Sequence, residues 1–346
     1  MKVVHFGNDA GGQGGVASVI RNHLTRELSQ VEFDAVSTYN PNGSNRLVRS
    51  LPFLRAIQQV TTLRVGAIVH VHLSNRGSYL REGSIVLLAG LRRLPTVITL
   101  HGSGVQSAGR GWRTLLVLIT RIARRTHVLD RSVLGLLKLP PERAIFIPND
   151  VREEEERVRA TGDDPVSFVF VGEVGWRKGA DLLFEAWGRL VDEPLMKQAT
   201  LTVVGPSNGS VDVPDLPRMV CVGAADPGQV RASLLSADVL VLPSRGEAFP
   251  MAVCEALMAS CAVIGSDAGA MSSLLPAAGQ TVLEGLEVLI LERALLEHVG
   301  DRGFLRARQT AAYAFARENL GRHSVSLQWY SVYEDILARG ARDSSN

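Results

Sequence analysis

At 346 residues, with 46% hydrophobic and 5% aromatic side chains, the chain has material for about two domains and is too apolar to be disordered. Its net charge of +2 hides an asymmetry: residues 1–140 carry 18 Lys and Arg against 6 Asp and Glu, and the remainder carries 19 against 29. The three cysteines, Cys221, Cys254 and Cys261, form no CxxC pair, which excludes a disulfide frame or a zinc ribbon and reads as core thiols in a reducing compartment.

The opening run MKVVHF predicts a first strand, Lys2–Phe6, and is too short for the apolar core of a secretion signal. No apolar run reaches the ~18–20 residues that span a bilayer, so a cytoplasmic location is expected. Further strands are predicted at Glu32–Ser37, Ala67–His72, Thr96–His101, His127–Asp130 and Ala144–Ile147. In the second half they fall at Val166–Gly172, Thr200–Gly205, Met219–Gly223, Val239–Pro243 and Ala262–Ser266. Helical patterns lie between them. In Ala180–Val191 the pairs Leu182/Leu183, Ala186/Trp187 and Leu190/Val191 recur every four residues. Strand and helix alternate on both sides of a polar break, DVREEEERVRATGDDP (150–165), which predicts two parallel, doubly wound sheets. The boundaries read as 1–158, 159–324 and a last helix in 325–346 that packs back on the first domain.

Four features carry candidate chemistry. The first is the loop DAGGQGGV (9–16), between a strand and the helix that follows. It contains the G-x-G-x-x-A pattern of a dinucleotide site, with acidic Glu32 and Asp34 roughly 20 residues on, so spacing alone allows an NAD(P)-dependent oxidoreductase. The second is a set of strand histidines. His70 and His72 alternate onto one strand face as a metal pair with no third ligand in view, for which strand-end packing is the default. His101 ends the strand before a glycine. The third is VGEVGWRKG (171–179), where Lys178 is one of only four lysines in an arginine-rich chain. Arg177 and Lys178 there suit phosphate oxygens.

The fourth is VLVLPSRGEAFPMAVCEALMASCAVIGSDAGA (239–270). A strand ends at Pro243 and a helix opens near Pro250, whose missing N–H suits the first helical position. The N–H groups and dipole of that helix favour an anion. Glu247 and Glu255 stand eight residues apart, one in the loop and one on the helix, and carboxylates accept from sugar and ribose hydroxyls. A solvated loop Glu and a surface helical Glu are the plain alternative. It is weakened by the apolar neighbours of Glu255, because a buried carboxylate is costly unless it is bound.

Pro243-Ser244, Glu247-Ala248-Phe249-Pro250, Glu255-Ala256 and the strand running to Gly269 resemble the signature of retaining glycosyltransferase family 4, with Lys178-Gly179 matching its second signature. Ser260-Cys261 replaces the usual Gly-Xaa, Glu173 stands where the family has Arg, and Asp150 replaces the glycine of a Pro-Asn-Gly turn. The resemblance implies an α/β chain of GT-B fold, two Rossmann-like domains facing a cleft, with the acceptor bound by the first and the donor by the second. It implies transfer of a sugar from a UDP- or GDP-sugar to an acceptor hydroxyl with retention, without a metal. An Asp-x-Asp motif, the metal anchor of the GT-A class, is missing. By that pattern Glu247, His101 and Lys178 form the catalytic group. Gly14, Gly15, Arg177, Lys178, Ala248, Phe249, Pro250, Met251 and Glu255 hold the donor, with Glu255 on the ribose. An inactive GT-B partner subunit is the further alternative, suggested by Glu173.

The excess positive charge lies in Arg46–Arg64 and Arg110–Arg125. In the second, Trp112, Leu115, Leu116, Ile119 and Ile122 fall at helical spacing, flanked by arginines, the profile of a helix in a membrane interface; a core-facing helix with a wet arginine side fits equally. The expected partners are a nucleotide sugar, a sugar or lipid-linked acceptor of cell-envelope synthesis, and an anionic inner membrane face. Nucleic acid is disfavoured as a partner, since aromatics do not interleave with the arginines as stacking platforms.

Overall fold

The computed structural model describes residues 1–346 except 9–14, 26, 27, 29, 41–43, 102–107, 158–163, 248 and 344–346. The chain divides into two compact units, Met1–Asn149 with Val325–Asn346, and Asp150–Ser324. The division falls before residue 158 because Val151 is already tied into the second unit. It bridges to Gly321, and its N–H donates to the Leu320 carbonyl.

Unit 1 runs β1 (Lys2–Asn8), α1 (Gly15–Leu24), β2 (Glu32–Tyr39), α2 (Arg46–Thr62), β3 (Ile68–Leu73), α3 (Arg76–Leu91), β4 (Thr96–Leu100), α4 (Arg110–Ile122), β5 (Arg125–Val128), α5 (Val133–Leu137) and β6 (Ala144–Ile145). The sheet is parallel, in the order β2-β1-β3-β4-β5-β6. Side chains alternate across it with period two. Val4, Val69 and Ile98 face a core with α2, α3 and α4. Val3, Ile68 and Val97 face Val325, Trp329, Tyr333 and Ile336 of the last helix. The same parity puts His5, His70, His72, Thr99 and His101 on the side of that last helix.

Unit 2 runs β7 (Val166–Val171), α6 (Ala180–Leu190), β8 (Ala199–Val204), β9 (Met219–Gly223), α7 (Pro227–Ser236), β10 (Val239–Leu242), α8 (Met251–Met258), β11 (Ala262–Gly265), α9 (Met271–Ala277), β12 (Thr281–Val282), α10 (Val288–Gly300) and α11 (Arg302–Asn319); α12 (Arg322–Asp343) follows and belongs mostly to unit 1. This sheet is also parallel, ordered β12-β11-β10-β7-β8-β9, around one large apolar core. The strand order grows outward in both directions from the β7/β10 pair, so the topological switch point lies there. Open α/β sheets bind ligands at the carboxyl ends of the strands at such a point.

Among the described residues no helix is long and apolar enough to cross a membrane. The apolar stripe of α4 does not face outward: Leu116 and Ile119 are buried, and Trp112 and Leu115 pack against the same core. Four of the five residues of that stripe thus cover the core of unit 1. A helix covering a sheet needs an apolar stripe of the same width as one lying on a membrane, and the core claims it. What α4 leaves outside is Leu118, 53% exposed, and Ile122, 38% exposed.

Candidate donor site at the β7/β10 switch point

Two loops leave the sheet of unit 2 side by side. After β7 the chain makes a short 3-10 turn, Trp176–Lys178, and enters α6 through Gly179 at φ +76°. A Cβ on Gly179 would lie 2.0 Å from the Pro243 carbonyl oxygen, so only glycine lets this loop rest on the end of β10. The Arg245 N–H donates to the Arg177 carbonyl at 2.8 Å, and the Arg177 guanidinium donates to the Gly246 carbonyl at 2.9 Å. Arg245 also forks onto Asp181, at 2.7 and 2.8 Å, and lies 4.4 Å over the Trp176 ring. The two loops thus form one braced unit.

Glu247 sits inside that brace. It is buried, which rules out the plain alternative of a solvated loop Glu. Lys178 donates from Nζ to its Oε1, Ser244 donates from Oγ to the same oxygen at 3.0 Å, and Arg177 stands 4.0 Å away. Ser266 in turn donates to the Ser244 carbonyl at 2.5 Å. A carboxylate with two cationic neighbours, a hydroxyl and a helix start beside it meets the requirement that a buried charge be paired.

The helix start differs from the expectation in one respect. α8 begins at Met251, so Pro250 precedes the first helical residue and its carbonyl accepts from Val253 and Cys254 N–H, at 3.0 and 3.2 Å. The Met251 N–H donates to the Phe249 carbonyl at 3.1 Å. Three N–H groups of the first turn, those of Met251, Val253 and Cys254, are thus already engaged within the chain. Phe249 and Met251 pack their side chains against the core of unit 2.

Glu255 lies on α8 and opens onto a cleft of about 500 Å³, lined also by Pro227, Val230, Arg231, Leu234 and Glu154. Burial pushes its carboxyl above the usual carboxylate range. Neither Glu247 nor Lys178 lines this cleft. The two carboxylates therefore occupy different surroundings, one neutralised by a lysine and one against apolar walls. Arg231 grips Glu154 with two N–H groups at the edge of the cleft. Neither residue was signalled by the sequence, because Glu154 sits in the charged stretch that reads as linker. Glu173 is exposed and accepts from Asn208 at 2.9 Å.

The remaining candidates lie in unit 1 or outside the described residues. Gly14 and Ala248 lie outside the described residues, and Gly15 is the first residue of α1. His101 is in unit 1, buried after β4, with Nε2 2.8 Å from His72 Nδ1. Burial, then the nearby His127, pushes its pKa down to about 3, so its imidazole is neutral at pH 7. Glu32 opens β2, where it pairs with Lys2 at 2.6 Å, and Asp34 is the third of that strand's 8 residues. That is the amino end of the strand, whereas a dinucleotide ribose needs an acid at the carboxyl end. The oxidoreductase reading thereby loses its second element.

Fold and site define an α/β protein of GT-B fold, two Rossmann-like parallel sheets with a candidate anion site at the switch point of the second. Residues 165–294, which hold this site, match the family described as Glycosyl transferases group 1. A protein of Bacillus subtilis (strain 168) named for a glycosyltransferase role in teichuronic acid biosynthesis, TuaC, is 28% identical over 222 residues, 60% of this chain and 54% of its own length. A D-inositol 3-phosphate glycosyltransferase of Geodermatophilus obscurus is 26% identical over 208 residues, 56% of this chain and 44% of its own length. The chain spans about half the length of these curated relatives. In fold it resembles Anabaena Alr3699/HepE in complex with UDP and glucose, at TM-score 0.72 and 13% identity over 97% of this chain and 100% of that one. It also resembles the lipopolysaccharide outer core galactosyltransferase WaaB, at TM-score 0.68 and 15% identity over 95% and 98% of the two chains.

Proposed function

We propose that this chain is a glycosyltransferase that moves a sugar from a UDP- or GDP-sugar to an acceptor hydroxyl, with retention of anomeric configuration. The observation that carries the reading is the Lys178–Glu247 pair beside Arg177 and the start of α8, at the switch point of the family-matching unit. A diphosphate brings its charge to this point. Lys178 turns from Glu247 to the phosphate oxygens, Arg177 and the dipole of α8 favour the added negative charge, and Glu247 is released to accept from sugar hydroxyls. The ribose lies against Glu255 and the base enters the adjoining apolar cleft. Rate enhancement comes from positioning and from stabilising the departing diphosphate, with no metal in the transfer. The names of TuaC and the D-inositol 3-phosphate enzyme support sugar transfer as the reaction class.

The test is a thermal-shift panel of nucleoside diphosphates, nucleotide sugars and NAD(P), with Lys178→Ala and Glu255→Ala beside the wild type. A ligand of the native state raises the melting temperature. Stabilisation by one nucleotide sugar, lost in both variants, is the expected result and names the donor. Stabilisation by NAD(P) alone refutes it, and silence across the panel favours a non-catalytic partner subunit.

For the acceptor we propose a lipid-linked or saccharide substrate of cell-envelope synthesis, met by unit 1 on an anionic inner membrane face. Leu80, Leu87 and Leu91 of α3 are 60%, 48% and 82% exposed, and Leu118 and Ile122 of the neighbouring α4 add to them. Arg76, Arg93 and Arg121 are exposed on the same two helices and the turn after α3. Exposed leucines fringed by arginine suit an anionic bilayer. Co-sedimentation with acidic liposomes at low salt, weakened by Leu87→Glu with Leu91→Glu, is expected. No binding to acidic vesicles overturns the membrane reading.

A further inference from the structure

Six of the chain's eight histidines lie together in the core of unit 1: His5, His23, His70, His72, His101 and His127, all 0–7% exposed. Parity explains part of this gathering. His5 pairs in register with His70 across β1 and β3, and His72 with Thr99 across β3 and β4, which brings their side chains to one sheet face. His23, from the last turn of α1, comes down onto that face against Trp329, ring to ring at 4.9 Å. Apolar side chains would fill the same space without any polar nitrogen to satisfy, so packing alone is a poor reason for so many imidazoles.

We infer that His5, His23 and His70 bind a divalent transition metal, zinc by preference, in the core of unit 1. One nitrogen from each ring can be chosen so that all three lie within 4.8 Å of one another. Tetrahedral zinc, with Zn–N of about 2.0–2.1 Å, needs nitrogens about 3.3 Å apart, a closure that small ring rotations supply. The outer hydrogen bonds suit ligation as well. A ligating histidine is oriented by a bond from its other ring nitrogen. His5 Nδ1 lies 2.9 Å from His72 Nε2, and His72 Nδ1 lies 2.8 Å from His101 Nε2. His70 has Tyr333 Oη at 2.9 Å from Nδ1 and Thr99 Oγ1 at 2.7 Å from Nε2, so one of these orients the ring while the other gives way to the metal. Three imidazoles without thiolate or carboxylate favour zinc, copper or nickel over calcium or magnesium, and leave a fourth position for water or hydroxide.

The ion joins one residue each of β1, α1 and β3, and so pins α1 to the sheet. It lies in unit 1, takes no part in the diphosphate site of unit 2, and stands independently of the proposed transfer reaction.

The test uses the full chain stripped with EDTA and titrated with zinc or cobalt alone. Expected are one equivalent of metal per chain, the visible bands of tetrahedral cobalt, and an upward shift in melting temperature with zinc. His5→Phe and His23→Leu should abolish the bands, and exposed His323→Ala should keep them. Cobalt bands that persist in both core variants assign the metal elsewhere and overturn the site. Circular dichroism checks that the variants fold. A wild-type melting temperature unmoved by zinc overturns the site whatever the variants do.

Discussion

Gly269 holds the Glu247 loop in place, and replacing it by alanine should damage both stability and donor binding. Its φ is +57°, and an added Cβ would lie 1.8 Å from the Glu247 carbonyl oxygen. Left-handed backbone costs alanine roughly 1–2 kcal/mol, of which the stiffer unfolded chain returns about 0.4–1. The collision adds more, because side-chain carbon essentially never approaches within 3.0 Å and the obstacle is backbone. The two loops must separate by roughly 1 Å or more, and overpacking of that kind costs about 1–3 kcal/mol, here at the upper end. The net expectation is roughly 3–4 kcal/mol. For a unit of this size that lowers the melting temperature by about 6–15 °C, measured by calorimetry. Gly209→Ala is the control. Its φ is +76° with nothing within 4 Å of the added Cβ, so it should lose at most about 1.6 kcal/mol. If the loop yields rather than the fold, stability is partly kept while Glu247 leaves Lys178, and stabilisation by the nucleotide sugar drops. A Gly269→Ala protein that matches Gly209→Ala in both melting temperature and ligand response would refute the reasoning.

Three further outcomes follow from the same geometry. Lys178→Met leaves Glu247 buried with only Ser244 and the more distant Arg177. It should destabilise unit 2 by roughly 2–4 kcal/mol in denaturant titrations, and adding Glu247→Gln should recover part of that loss. Glu255→Gln should raise the melting temperature of the free protein at pH 7, because burial disfavours the charged form of the carboxyl and a neutral amide carries no such penalty; its response to nucleoside diphosphates should fall. Burial pushes His298, in unit 2, down to about 4. Its folded pKa lies below the unfolded value of 6.5, so its contribution is complete above pH 6.5 and is lost as pH falls towards 4, about 3 kcal/mol in all. His298→Phe should flatten the melting temperature of unit 2 across that window; an unchanged slope would show that another group titrates.

The sheets were legible because each strand is a short apolar run closed by glycine, proline or a polar residue, and register follows from parity. β12, two residues long, left no such run and passed unnoticed. The loops at 172–179 and 243–250 were legible as phosphate-binding types, since lysine, glycine and glutamate there stand at fixed spacing beside strand ends. Their mutual bracing was not, because Arg245, Asp181 and Ser266 look like ordinary surface residues until β7 and β10 become neighbours. α4 shows the limit of periodicity: an amphipathic helix reports the width of its apolar stripe and not what covers it. The histidines carry the same lesson further. His70 and His72 were visible as a pair because they sit two apart on one strand. His5 and His23 are 65 and 47 positions from His70, and only the parallel pairing of β1 with β3 and the descent of α1 make them neighbours. A site whose members come from three elements has no spacing to read. Its signal is compositional: a chain with eight histidines puts six of them in one apolar core, where neutral side chains cost less. That imbalance, rather than any motif, is what a metal explains and packing does not.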